Sequence, residues 1–208
     1  MQVLSRINQQ FLFPRELVKA HYHQKVPSDF SQAFREPGFD GTVGVPSLYT
    51  AELPGILDWL HQMKAPDILE EKPCITPLLL YEGDLCFDRL LFHYEGNFQS
   101  AQLIRRFVEL FELVIKNSNA TIISPSFIPK SKMKEEQDLI QLITKSTAET
   151  SFIKFNFNRI GDFWSYAVKH ECTLLVTAKN YQADLAKILF HFYKGGMWYN
   201  RLAFYLAM

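Results

Sequence analysis

Cysteine is scarce in this sequence. Its three cysteines, Cys74, Cys86 and Cys172, are odd in number and show no Cys-x-x-Cys spacing, which argues against a disulfide framework and against a zinc knuckle. Long apolar runs are also missing, since stretches such as 77–81 are far too short to span a bilayer. No apolar signal segment follows Met1. These absences predict a soluble cytoplasmic protein with no membrane partner.

An excess of charge of one sign is missing too. The 22 Lys and Arg residues balance the 22 Asp and Glu residues, so net charge does not steer the protein toward nucleic acid or an anionic membrane. The one basic stretch, PKSKMK at 129–134, is followed by two glutamates and is typical of a solvated helix start. We therefore predict no nucleic-acid partner.

The familiar catalytic motifs are absent. The sequence contains no G-x-S-x-G elbow, no P-loop and no H-E-x-x-H. Ser124 follows a strand, where α/β proteins bind ligands, but a nucleophile there would need a base that the sequence does not reveal. His21 and His23 lack a third metal ligand nearby in sequence. We predict no catalytic residue, no metal site and no cofactor, so the chain is not predicted to be an enzyme.

What the 208-residue sequence does contain is a regular alternation of apolar strands and amphipathic helices from residue 89 onward. This alternation predicts an α/β fold with an open, mainly parallel five-stranded sheet and helices on both faces. The predicted strands are 89–94, 120–124, 152–157, 173–177 and 202–207, and the predicted helices are 100–116, 132–146, 161–170 and 184–192.

The sequence before residue 84 is less regular. It offers an amphipathic helix with Pro54 in its first turn, ending before Pro66, and an apolar strand at 74–83. The composition shifts near residue 84. We therefore predict a partial α/β unit over 1–84 and a complete domain over 85–208.

Four stretches of the second half carry a family resemblance: RLLFHYEGNFQSAQLIRRFVELF at 89–111, ATIIS at 120–124, RIGDFWSYAVKHECTLLVTAKN at 159–180 and NRLAFYLAM at 200–208. Together they make 89–208 resemble a universal stress protein domain, specifically the second half of a tandem bacterial member. Upstream, the stretches at 26–47 and 56–80 resemble the late part of the first domain in such tandems. The resemblance implies a fold of the adenine nucleotide alpha hydrolase type, a role in the stress response, and an N-terminal unit that lacks most of its opening βαβ segment.

The resemblance also implies where a nucleotide would bind. Family members that bind ATP carry an acidic residue after the first strand and a glycine-rich phosphate loop after the fourth. Glu95 stands at the acidic position, but Ala178 and Tyr181 stand where the first two loop glycines would be. Backbone amides must approach phosphates closely, and these side chains would crowd them. We therefore predict that ATP binding is lost and that the Gly96 turn is scaffold, with Asn97 or Ser100 capping the following helix.

The leading functional hypothesis is a non-catalytic protein that acts by association. The family resemblance implies dimerisation through the last strand. An apolar closing strand that was left unpaired would be an exposed edge able to pair with another chain. This predicts a homodimer, or binding of another protein, through an aromatic interface. Its candidate residues are Trp198, Tyr199, Phe204 and Tyr205.

The alternative hypothesis is a small-molecule binder. Ligand sites in open α/β sheets lie at the carboxyl ends of the strands, and Tyr181 would let an adenosine or another aromatic ligand stack where a triphosphate has no room. The sequence names no ligand. The candidate crevice residues are Glu95, Gly96, Asn97, Ser124, Thr177, Lys179 and Tyr181.

Overall fold

The computed structural model describes residues 15–22, 24–26, 45–62, 75–157, 159–194 and 202–208. Cys74, His23, Trp198 and Tyr199 lie outside these ranges. The strands are β1 (Val18–His21), β2 (Leu48–Glu52), β3 (Leu78–Tyr81), β4 (Arg89–His93), β5 (Asn119–Ser124), β6 (Glu149–Lys154), β7 (Leu174–Ala178) and β8 (Ala203–Ala207). The α-helices are α1 (Leu53–Gln62), α2 (Phe98–Phe111), α3 (Met133–Ser146), α4 (Ile160–Lys169) and α5 (Gln182–Lys194).

The described strands form one eight-stranded sheet in the order β1-β2-β3-β8-β7-β4-β5-β6. Strands β4 to β8 all run parallel. β3 pairs antiparallel with β8, and β2 pairs parallel with β3. The predicted α/β class and mainly parallel sheet are confirmed, but the predicted number of five strands is wrong. The physical reason is the β3–β8 ladder, which joins the N-terminal strands to the parallel ones.

Helices cover both faces of this sheet. α2 and α3 pack on one face, where Phe107 meets Phe92 and Tyr205 with ring centroids 5.5 and 5.0 Å apart. α1, α4 and α5 pack on the other face, where Trp164 stacks on Phe204 at 5.7 Å. Successive strand residues point to opposite faces, so Phe204 and Tyr205 enter different cores. No helix in the described ranges is long and apolar enough to cross a membrane.

The connections change face between two neighbouring strands. The helices α2 and α3, which link β4 to β5 and β5 to β6, lie on one face. The helices α4 and α5, which link β6 to β7 and β7 to β8, lie on the other face. Because β4 and β7 are adjacent, the chain leaves their carboxyl ends toward opposite faces. This is a topological switch point, where open α/β sheets form a crevice.

Candidate ligand crevice at the strand switch point

The corner after β4 is a tight turn that only glycine fits. Gly96 has φ +74, and a Cβ built on it would lie 2.8 Å from Cγ2 of Ile128. The next residue, Asn97, caps α2 by accepting a hydrogen bond from the backbone N–H of Ser100 at 2.8 Å. The Ser100 hydroxyl in turn accepts from the backbone N–H of Glu95 at 3.1 Å. The predicted capping of this helix is confirmed, and it orients the Glu95 side chain.

We expect Gly96→Ala to lower the free energy of unfolding by about 2 kcal/mol, because alanine must adopt a left-handed conformation and displace Ile128. Urea unfolding measures the loss. Gly83→Ala is the matched control, since Gly83 also has a positive φ (+60) but its Cβ would meet nothing within 4 Å. Equal losses in the two variants would show that the contact with Ile128 does not matter.

The carboxylate of Glu95 is only half satisfied. Its Oε2 accepts a hydrogen bond from Nδ2 of Asn97 at 2.8 Å. Its Oε1 is shielded from solvent and has no hydrogen-bond partner among the described residues. Buried carboxylate oxygens in native proteins nearly always have a donor, so this atom has room for one from outside the chain.

Behind Glu95, His93 links β4 to β7. Its Nδ1 shares a hydrogen bond with the hydroxyl of Thr177 over 3.0 Å, and both residues are buried. Its ring lies against Phe163, with centroids 3.9 Å apart. Burial lowers the pKa of His93 to about 4, against the weaker opposing effect of the Glu95 charge. His93 is thus a buried, hydrogen-bonded residue, and its ring is neutral at physiological pH.

Tyr181 forms the β7 side of the crevice. It lies in the 3-10 turn Lys179–Tyr181 that follows β7. Its ring centroid is 5.1 Å from that of His93. Burial, followed by the charge of the nearby Glu95 carboxylate, raises the pKa of Tyr181 to about 12. The phenol therefore keeps its proton, directs its hydroxyl toward the Glu95 carboxylate, and presents a half-buried aromatic ring.

Two of the predicted crevice residues bond elsewhere. The Lys179 side chain is buried, and its ammonium group donates to the carbonyl oxygen of Thr76. The Ser124 hydroxyl, fully buried, donates to Oε1 of Glu136 and lies 3.2 Å from the ammonium nitrogen of Lys154. The structure thus brings together Glu95, Gly96, Asn97 and Tyr181, with Thr177 reached through His93.

The cluster of Ser124, Glu136 and Lys154 could not be seen in the sequence, because its members come from β5, α3 and β6. It offers no nucleophile, since Ser124 is fully enclosed and its proton is already donated to Glu136. The described ranges also contain no group of three or more His, Cys, Asp or Glu side chains that could hold a metal ion.

The last strand is placed in the interior of the sheet. β8 pairs with β7 on one side and with β3 on the other, and both Phe204 and Tyr205 are fully buried. The edge of β8 that was predicted to pair with a partner subunit is therefore occupied by β3 of the same chain.

Comparison of the chain with protein-family models, with curated proteins and with solved structures finds no match. The resemblance to universal stress proteins therefore stays a prediction that depends on the motifs of the sequence.

Proposed function

We propose that this chain is a non-catalytic, universal-stress-like protein that binds a small aromatic ligand bearing an amino group, such as an adenine nucleoside, at the switch-point crevice. The observation that carries the proposal is the shielded Oε1 of Glu95, to which no described residue donates a hydrogen bond. An exocyclic amine would supply that donor, and the ring of Tyr181 would supply a stacking surface.

The same corner argues against a nucleoside triphosphate. Ala178 and Tyr181 place side chains where close backbone approach to phosphates would be needed. The ammonium group of Lys179, the basic side chain next to Ala178, is occupied with the Thr76 carbonyl. The crevice thus presents a carboxylate to its ligand, and this negative charge favours a neutral or cationic group over a polyphosphate.

Calorimetric titration with adenosine, inosine and ATP tests the proposal. Inosine lacks the exocyclic amine, so we expect adenosine to bind at least tenfold more tightly than inosine and ATP to bind most weakly. In Glu95→Gln, the side-chain amide is a poorer hydrogen-bond acceptor than the carboxylate, so the preference for adenosine over inosine should become smaller. Glu149→Gln, at the exposed edge strand β6, is the matched control and should leave it unchanged. Tighter binding of ATP than of adenosine, or no binding of adenosine, would contradict the proposal.

Association is the second candidate function, and an observation at the other end of the sheet favours it. In the part of the chain that the structure describes, β6 pairs only with β5. Phe152 in this strand, Phe155 just after it and Phe127 in the loop that follows β5 are exposed, Phe127 by 85%. The backbone N–H of Ser126, next to Phe127, donates to Oδ1 of Asn156 just after β6. Unpaired edge strands with exposed aromatic side chains are sites of strand addition.

We expect a homodimer formed through this edge to dissociate on replacement of Phe127 by serine, because the substitution removes the most exposed aromatic ring without touching the core. Sedimentation velocity at micromolar concentration measures the mass. Phe98→Ser, on an exposed site of α2, is the control. A wild-type chain that sediments as a monomer would remove this candidate.

A further inference from the structure

A pocket lies near the β1 edge of the sheet, away from the switch-point crevice. β3 runs antiparallel to β8, so the carboxyl ends of β2 and β3 point away from the switch-point crevice. A cavity of about 180 Å³ opens between those ends and the 3-10 turn Arg15–Leu17. This volume suits a ligand the size of a single amino-acid side chain or a small amine.

The pocket has apolar walls and polar groups at its mouth. Leu17, Ala51 and Gly55 supply apolar surface, and Tyr81, only 8% exposed, supplies a ring beside them. Burial, followed by the charge of Glu52, raises the pKa of Tyr81, so its hydroxyl stays neutral. The body of a ligand seated here would therefore be apolar.

The described charges that line the pocket are two carboxylates, of Glu16 and Glu52, and one ammonium group, of Lys19. Glu52 forms an ion pair with Lys19, with Nζ and Oε1 3.4 Å apart, and it directly precedes the N-terminus of α1, which also favours a negative charge. Glu16 lines the same pocket and forms no ion pair with any described residue. Among the described residues that line the pocket, the exposed Glu16 carboxylate is thus left without a counter-charge.

The geometry points to a binding site for a small organic cation, a primary amine on a short apolar body. The ammonium group would pair with Glu16, and the body would lie against Leu17 and Tyr81. This site is independent of the switch-point crevice, since it uses other strands, near the β1 edge of the sheet.

Heteronuclear NMR titration with 2-phenylethylamine tests the inference, with the uncharged isostere 2-phenylethanol as the matched ligand. We expect saturable shifts of the backbone amides of residues 16–19, 50–53 and 55 with the amine, and at least tenfold weaker binding of the alcohol. Glu16→Gln should reduce the affinity for the amine about tenfold and abolish the preference over the alcohol.

Two further variants sharpen the result. Glu52→Gln leaves Lys19 as an unpaired cation at the mouth and should also weaken amine binding. Glu149→Gln, on the exposed edge strand β6, should leave the shifts of residues 16–19 and 50–53 unchanged. These shifts report this pocket separately from any shifts near Glu95, so the two sites fail or succeed separately. Equal affinity for amine and alcohol, an unchanged affinity in Glu16→Gln, or shifts confined to other parts of the chain would overturn the inference.

Discussion

Replacement of Lys154 by methionine is expected to lower the free energy of unfolding by about 3 kcal/mol. Glu136 is 7% exposed, and its Oε1 accepts from both the Lys154 ammonium group and the Ser124 hydroxyl. Methionine preserves the length of the side chain but removes the charge, which leaves a carboxylate in the interior without its counter-ion. The remaining hydrogen bond from Ser124 does not compensate for that loss. Urea unfolding at neutral pH measures the change.

Two variants distinguish the effect of an unpaired buried charge from that of lost side-chain packing. The double variant Glu136→Gln with Lys154→Met removes both charges and should recover most of the stability. Lys187→Met removes the cation of an exposed ion pair with Asp184 and should cost less than about 1 kcal/mol. If Lys154→Met costs no more than Lys187→Met, the cluster contributes nothing beyond a surface ion pair.

Acidification from pH 6.5 to pH 4 is expected to remove about 3 kcal/mol of stability through His93 alone. The pKa of His93 falls from 6.5 to about 4 on folding, and each unit corresponds to about 1.36 kcal/mol. Above pH 6.5 neither state binds the proton, so His93 makes stability independent of pH there. Below that value the unfolded chain binds a proton that the buried ring cannot accept, and stability falls until pH 4.

Unfolding free energies of the wild type and of His93→Gln between pH 4 and pH 7 measure this effect. In His93→Gln, the unfolding free energy should no longer show the part of its decrease with falling pH that His93 causes. His191→Gln, at an exposed position, should keep the full decrease. If the variant is too unstable to compare, NMR titration of the wild type gives the same answer, because the His93 ring should stay neutral down to about pH 4. A ring that titrates near pH 6.5 would contradict the proposed burial.

Local signals in the sequence predicted what depends on neighbours along the chain. The strand, Gly96 turn and Asn97 cap before α2 follow from residue types a few positions apart. The helix begins at Phe98 rather than at residue 100, because Asn97 is the residue that caps it. The strand and helix alternation likewise follows from local periodicity.

Long-range pairing could not be predicted in the same way. The β3–β8 ladder joins residues more than a hundred positions apart, and a short apolar strand does not indicate which neighbour it pairs with. The same holds for the site: Lys179 was expected beside the ligand, but its side chain reaches back to Thr76 in the N-terminal part of the sheet. His93 and Thr177 meet only because β4 and β7 are adjacent.

A crystal structure of the protein grown with adenosine tests the proposed function most directly. We predict electron density for the base between Glu95 and Tyr181, with its amine within hydrogen-bond distance of Oε1 of Glu95. Density for adenosine elsewhere, or density for a nucleoside triphosphate between the 95–97 corner and the 178–181 segment in a parallel crystal grown with ATP, would contradict it.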